Sequence, residues 1–295
     1  MTILESQEIK NPPATAAGSL RELAALRTSY RPSIRRNKPP VEPSGWSIAL
    51  GRVAVVVLVF GLWEAGAATE VIDTFFWSQP SKIWNTAITA FASGNMLENA
   101  LFTFQSTISG FIIGVVGGVA IGLSFWWSRR YALITEPLVV VFEAMPKLAL
   151  APIIVLVLGL GIGSKIAMAT ALVIVIQILN THSAVKSVDS DLTTLLYSLG
   201  ATRWQVFTKV VVPSTLPWVA SSLRVGIGLA LTGAIVGEYI GSTMGLGRMI
   251  QFAGSTYDIA LIWVGVFTLA ALSMLLYLTV SWLERRLLRG LNQGK

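Results

Sequence analysis

The chain has 295 residues, 54% of them hydrophobic and only 13% charged, with a mean hydropathy of +0.68. That balance excludes a soluble globular protein of this length and places the chain in a bilayer. The net charge of +7 raises nucleic acid as a partner, but in so apolar a chain the basic residues are first read as signals of membrane sidedness, and no nucleic acid is expected. The absence of cysteine excludes disulfides and thiol chemistry.

In chain order, residues 1–45 are polar and rich in Pro, Ser and Arg, with no apolar run near Met1. They read as a largely disordered cytoplasmic tail with one short helix at Ser19 to Leu26, and the first hydrophobic span itself directs insertion. Its basic residues are a topology signal, with contact to anionic lipid as the alternative. Six apolar spans follow, at about Trp46 to Thr69, Leu101 to Trp127, Tyr131 to Leu160, Ser164 to Ala184, Trp218 to Ile240 and Ile259 to Leu283. Each reaches the ~20 residues that a helix needs to cross the hydrocarbon layer. The expected fold is therefore an all-α integral membrane protein with six transmembrane helices over residues 46–285 and a short cytoplasmic tail at 286–295.

Charge decides the orientation. With the N-terminus inside, the inner segments hold 17 of the 22 basic residues: those from Lys10 to Arg52, Arg129 and Arg130, Lys186, Arg203 and Lys209, and those from Arg285 to Lys295. The outer segments keep only Lys82, Lys165 and Arg248, while Lys147 and Arg224 fall inside or at the edge of spans. The positive-inside rule then puts both termini in the cytoplasm. The outer segment between spans one and two places Ile83, Trp84, Ala87, Ile88 and Phe91 behind Pro80-Ser81, the pattern of an amphipathic helix lying at the outer interface.

Span two carries Gly110, Gly114, Gly118 and Gly122, four apart, and span five has Gly233, Gly237 and Gly241; both are read as grooves for close helix packing. Pro137, Pro146 and Pro152 interrupt span three, with Glu143 and Lys147 four apart around Pro146. A proline frees a carbonyl, and an ionisable residue at membrane depth must pair or face water. Glu143, Pro146 and Lys147, together with Glu238 at the outer end of span five, are thus candidate translocation-path residues. The alternative is a self-satisfied Glu143–Lys147 pair. Glu64 and Glu238 also suit capping or structural pairing.

Between spans four and five, residues 189–217 have helical order of their own. Asp191 is placed to cap a helix whose Leu192, Leu195, Leu196 and Leu199 fall on one face, and Gly200 sits where a left-handed cap would end it. Thr202 to Gln205 has capping-box spacing and opens a second helix, with Val206, Phe207, Val210 and Val211 on one face and Pro213 ending it. By pattern alone this knuckle serves equally as a dock for another protein or as a surface loop packed on its own chain.

The spacing Gly200 … Phe207 … Pro213 … Leu216-Pro217 resembles the "EAA" loop of ABC-type import permeases, which docks onto the ATP-hydrolysing subunit. It departs from that pattern at its head, where Thr194-Leu195-Leu196 replaces Glu-Ala-Ala, so the Glu that would make one polar contact to the ATPase is missing. Met145-Pro146-Lys147 through Pro152, Gly159 to Gly163, Asn180-Thr181, Val188-Asp189, Gly237-Glu238 and Gly245 to Gly247, in this order, resemble the nitrate/sulfonate/taurine branch of these permeases over residues 46–285. The resemblance implies a type I importer fold with a cytoplasmic coupling helix, and ATPase coupling through Leu192, Leu195, Leu196, Leu199, Gly200, Ala201, Phe207 and Pro213. It also implies a second copy of the permease, two ATP-binding subunits and an extracytoplasmic solute-binding protein as partners, beside membrane lipid. The solute would be a small one, first of all an anion such as nitrate, bicarbonate or a sulfonate.

No Gly-x-x-x-x-Gly-Lys-Ser/Thr phosphate loop occurs, so this chain is expected to be a non-catalytic subunit that binds no cofactor or metal, with ATP and Mg held by the partner ATPase. An ion-coupled secondary transporter would want internal repeats and midplane carboxylates, and only Glu143 qualifies. An intramembrane enzyme would need a metal site or a nucleophile pair. One histidine, His182, no cysteine and no Asp inside a span leave little for that chemistry, and His182 reads as a satisfied residue at a helix end.

Overall fold

The computed structural model describes residues 45–292, and among them all regular structure is helical. The tail expected at the N-terminus, with its short helix at Ser19 to Leu26, lies outside the described residues. The chain divides into two compact units, Met1–Val56 and Val57–Lys295. The described part of the first is the opening of helix α1 (Gly45–Ala68), where Val53, Val55 and Val56 all expose their side chains, as a lipid-facing helix does.

In the second unit α1 ends against a capped corner. Asp73 accepts a bond from the Phe75 amide to open the single turn α2 (Thr74–Trp77). Helix α3 (Pro80–Ala92) starts on a proline, and its N-cap residue Gln79 supplies no side-chain bond. Glu64 of α1 supplies it instead, accepting from the Ser81 amide at 3.0 Å and the Ser81 hydroxyl at 2.7 Å. α3 is amphipathic as expected, but it is not simply laid on lipid: Ile83 is buried in a cluster with Met96, Leu246, Ala260 and Val264, while Trp84, Ile88 and Phe91 stay exposed.

Helix α4 (Asn95–Ser124) continues through a 3-10 turn at Phe125–Trp127 into α5 (Arg129–Ala144), which Ser128 caps. The span expected from Tyr131 to Leu160 is not one helix. It breaks after Ala144, and the chain bends by 78° before continuing as a 3-10 turn (Lys147–Leu150) and α6 (Ala151–Leu158). Of the three prolines only Pro146 causes this. The residue before a proline is pushed out of the helical region, and Met145 is extended at ψ 138. Pro137 sits inside α5 and Pro152 in the first turn of α6. Five long helices are apolar enough to cross a membrane, and the bent pair brings the number to six if it counts as one span.

The core is built by α4, α7 (Ile162–Lys186) and α10 (Val212–Ile240). The i+4 row Ala169, Val173, Gln177 and Thr181 of α7 lies in the groove left by the four α4 glycines, each glycine facing one of these residues. A Cβ at Gly118 would stand 2.5 Å from the Gln177 Cβ, one at Gly122 2.6 Å from the Thr181 Cβ, and one at Gly114 2.7 Å from the Val173 Cβ. No side chain fits, and the backbones touch. On its other side α7 meets α10, where the Ser222 hydroxyl donates to Gln177 Oε1 at 2.7 Å inside an apolar cluster that includes Val173, Ile227, Ala230 and Leu276. Helix α12 (Ile259–Asn292) packs on α10 and carries the chain as helix through residues expected to begin the C-terminal tail.

Candidate functional site

After α7 the chain turns into α8 (Ser190–Ser198). The cap is Asp189 and not Asp191: its carboxylate accepts from the Asp191 amide at 2.8 Å. The helix ends as its sequence dictates. The Ala201 amide donates to the Leu196 carbonyl at 2.9 Å and the Gly200 amide to that of Tyr197 at 3.0 Å, with Gly200 at φ +83. This is a Schellman turn, and the left-handed residue at its centre favours glycine. Leu192, Leu195 and Leu199 are exposed, Leu199 to 73%, and Leu196 is half-buried. The apolar face of α8 is thus turned outward instead of onto its own chain.

Thr202 opens the next helix with a complete capping box. Its amide donates to Gln205 Oε1 at 2.7 Å and its hydroxyl accepts from the Gln205 amide at 3.3 Å. Pro213, expected to end this helix, does not. α9 (Arg203–Val206) passes through a π turn at Phe207–Val211 into α10, giving one continuous helix from Arg203 to Ile240. The π turn shifts the hydrogen-bond register by one residue, the Val212 amide reaching back to the Phe207 carbonyl, so Pro213 falls in the first turn of a new α segment, where it has no bond to lose. The second half of the knuckle is therefore the foot of a core helix.

That foot is seated on the end of α4. Phe207 is half-buried in a cluster with Trp126, Trp127 and Trp204, its ring 5.4 Å from Trp126 and 5.3 Å from Trp127. The Arg203 guanidinium lies over both indoles, 5.1 Å and 5.3 Å from their centroids, and donates to the carbonyls of Trp126, at 3.3 Å, and Trp127. Ala201 is half-buried between the two helices of the elbow.

The residues expected along a path do not form one group. Lys147 Nζ lies 3.1 Å from Glu143 Oε2 and donates to the Glu143 carbonyl at 2.9 Å, so the pair bridges the break made by Pro146. The lysine side chain is 15% exposed and the glutamate 42%. Glu238, read both as a path candidate and as a structural cap, is packed in the interior near the end of the long helix opposite Arg203. There it belongs to a three-pronged cap. Helix α11 (Leu246–Ser255) has glycine as its N-cap and cannot cap itself. Its first amides are taken by other helices: that of Gly245 by Asn99 Oδ1 at 2.7 Å, that of Leu246 by Thr103 Oγ1 at 2.9 Å, and that of Gly247 by Glu238 Oε2 at 2.9 Å. Glu238 also accepts from the Thr103 hydroxyl at 2.9 Å. A carboxylate at a helix N-terminus is electrostatically favoured.

Sequence reasoning missed the complementary clamp. Lys165, counted among outer loop charges, is fully buried in the first turn of α7 and donates to the carbonyls of Leu160 at 2.9 Å and Gly241 at 2.6 Å and to the Ser164 hydroxyl at 3.0 Å. Gly241 is the C-cap of α10, so the ammonium sits at a helix C-terminus, where positive charge is favoured. A lysine opening an apolar helix just after Gly159-Leu-Gly-Ile-Gly163 was the available signal. Two further ties were not foreseen. Glu136 of α5 meets Lys186 at 2.6 Å and His182 at 3.4 Å, and Arg224 of α10 meets Glu284 of α12 through two nitrogens at 2.7 Å and 2.9 Å. His182 is buried edge-on to Phe125 with ring centroids 4.7 Å apart, a packed residue at a helix end.

A bundle of apolar helices with no strand among its described residues, a broken third span and an outward-facing helical elbow define an integral membrane permease. The chain belongs to the binding-protein-dependent transport system inner membrane component family, whose model matches residues 110–293. Among its relatives, the riboflavin transport system permease protein RibX of Chloroflexus aurantiacus is 31% identical over 82% of this chain and 90% of that protein. The taurine transport system permease protein TauC of Escherichia coli is 26% identical over 82% of this chain and 88% of that protein. The fold matches the inward-facing MetNI methionine ABC transporter with a TM-score of 0.54 at 19% identity, over 66% of this chain and 95% of that one. The ABC import permease resemblance read from the motifs therefore holds, and permeases of this family are non-catalytic membrane subunits.

Proposed function

We propose that this chain is the membrane channel of an ATP-driven importer, with the leucine face of α8 as the docking point for the ATP-hydrolysing partner. The exposed leucine face of α8 carries this reading. Leu192, Leu195 and Leu199 are held outward by a rigid Schellman corner, and an apolar knuckle of that kind calls for a partner surface. The distribution of Lys and Arg supports placing the elbow and both termini in the cytoplasm. ATP and Mg then belong to the partner, a second copy completes the path, and a separate binding protein delivers the solute from outside. Leu199→Asp tests the docking: at a position 73% exposed it leaves insertion intact but abolishes co-purification of the ATPase, and unaltered co-purification and transport would sink the assignment.

For the solute, Lys147 supports a small anion. Its ammonium stands at the break of the third span, and the carboxylate that neutralises it is itself partly exposed. A second reading, an aromatic heterocycle, is favoured by the relation to the riboflavin permease. Solute-stimulated ATPase activity of the reconstituted complex, with alkanesulfonates and with riboflavin, separates the two.

A further inference from the structure

The elbow has two connections to the helix bundle, and they differ in stiffness. The covalent one runs up the long helix through the π turn at Phe207–Val211, then past Pro213 and Pro217. A π turn is followed within six residues by Pro217 inside the helix, and both are places where a helix bends, which makes this stretch the compliant part of the helix. The second connection is Arg203, whose fork grips the two carbonyls that end the α4 rod while its plane lies over Trp126 and Trp127.

What Arg203 grips is stiff. α4 has no proline, and its glycine face is interlocked with α7 from Gly110 to Gly122, so the two helices form one body. The far end of that body holds the α10–α11 turn from both sides: Lys165 of α7 on the Gly241 carbonyl, and Asn99 and Thr103 of α4 on the Gly245 and Leu246 amides. We infer that Arg203 is the positioning residue that passes displacement of the elbow to the α4–α7 body, and through it to α11 at the opposite end of the molecule. The inference rests on the elbow being the ATPase dock, and it assigns transmission to the lateral contact instead of to the continuous helix.

The test uses the reconstituted complex with its ATPase partners. The chain has no cysteine, so paired spin labels can be introduced freely: Ser198→Cys with Leu287→Cys at the elbow, and Gln251→Cys with Trp84→Cys at the far end. With the native arginine, trapping ATP shifts both distances. With Arg203→Ala the elbow pair still responds, the far pair does not, and solute moved per ATP hydrolysed falls by about tenfold, the order expected for one lost charge-assisted contact. Arg203→Lys keeps the charge without the fork and gives an intermediate response. A far pair that responds fully in Arg203→Ala would mean that the long helix transmits alone and the inference is wrong. Loss of both responses would place Arg203 in the dock itself, which also overturns it. An elbow pair that never responds with the native arginine would instead refute the docking reading.

Discussion

Gly118→Ala asks whether the α4–α7 contact has the zero-clearance geometry described above. A Cβ placed there meets the Gln177 Cβ at 2.5 Å and the Ile174 carbonyl at 2.7 Å, where ordinary contact begins at 3.4 Å. The Ile174 carbonyl is backbone and cannot swing away, so the helices must separate by about 1 Å, and overpacking of this kind costs ~1–3 kcal/mol. Alanine recovers up to ~1 kcal/mol over glycine in helix propensity, which sets the control. Gly228→Ala in α10 meets nothing within 4 Å and shows only the propensity gain. The two substitutions are chemically identical and should differ in sign. The melting midpoint of the purified protein in detergent should fall by several degrees for Gly118→Ala and hold or rise for Gly228→Ala. Equal stability of the two variants, or the reverse order, would show that the groove has slack and that the body of α4 and α7 is not interlocked.

Lys165→Met leaves the Leu160 and Gly241 carbonyls without their donor inside the protein, at ~1–3 kcal/mol for each orphaned acceptor, so folded yield should collapse, while Lys82→Met on the exposed surface of α3 leaves it unchanged. Glu64→Ala removes the only side-chain cap of α3 and should cost about 1 kcal/mol, read as faster proteolysis between residues 80 and 92. For Lys147 and Glu143, a double-mutant cycle on stability should give a coupling below about 1 kcal/mol, because the carboxylate side is partly exposed. A larger coupling would mean that the pair is dry and not available to a solute.

The sequence announced those features whose cause is local. Gly200 demanded a left-handed corner, Thr202 and Gln205 spelled a capping box, and four glycines spaced by four marked a contact face before its partner was known. It misled where one local rule competed with another. Pro213 reads as a helix stop, and only the π turn ahead of it explains why the helix continues. All three prolines of the third span were expected to interrupt it, yet Pro146 alone bends it. The clamps were illegible for a different reason. Lys165 and Glu238 each depend on a partner far along the chain, 76 residues away for the Lys165–Gly241 bond and 135 for the Thr103–Glu238 bond, and no local window contains both members of either bond.

The cap of α11 bears on how the molecule is made. Its Gly245 and Leu246 amides wait for side chains 146 and 143 residues earlier, which have already left the ribosome and entered the membrane when α11 is synthesised. Helix α11 is too short to persist alone, at ten residues with a glycine cap. It therefore takes shape only once α4 and α10 stand side by side, as one of the last pieces of the assembly to set. Damage anywhere along the α4 groove should surface first as proteolytic nicking between Arg248 and Ser255, far along the chain from the lesion itself.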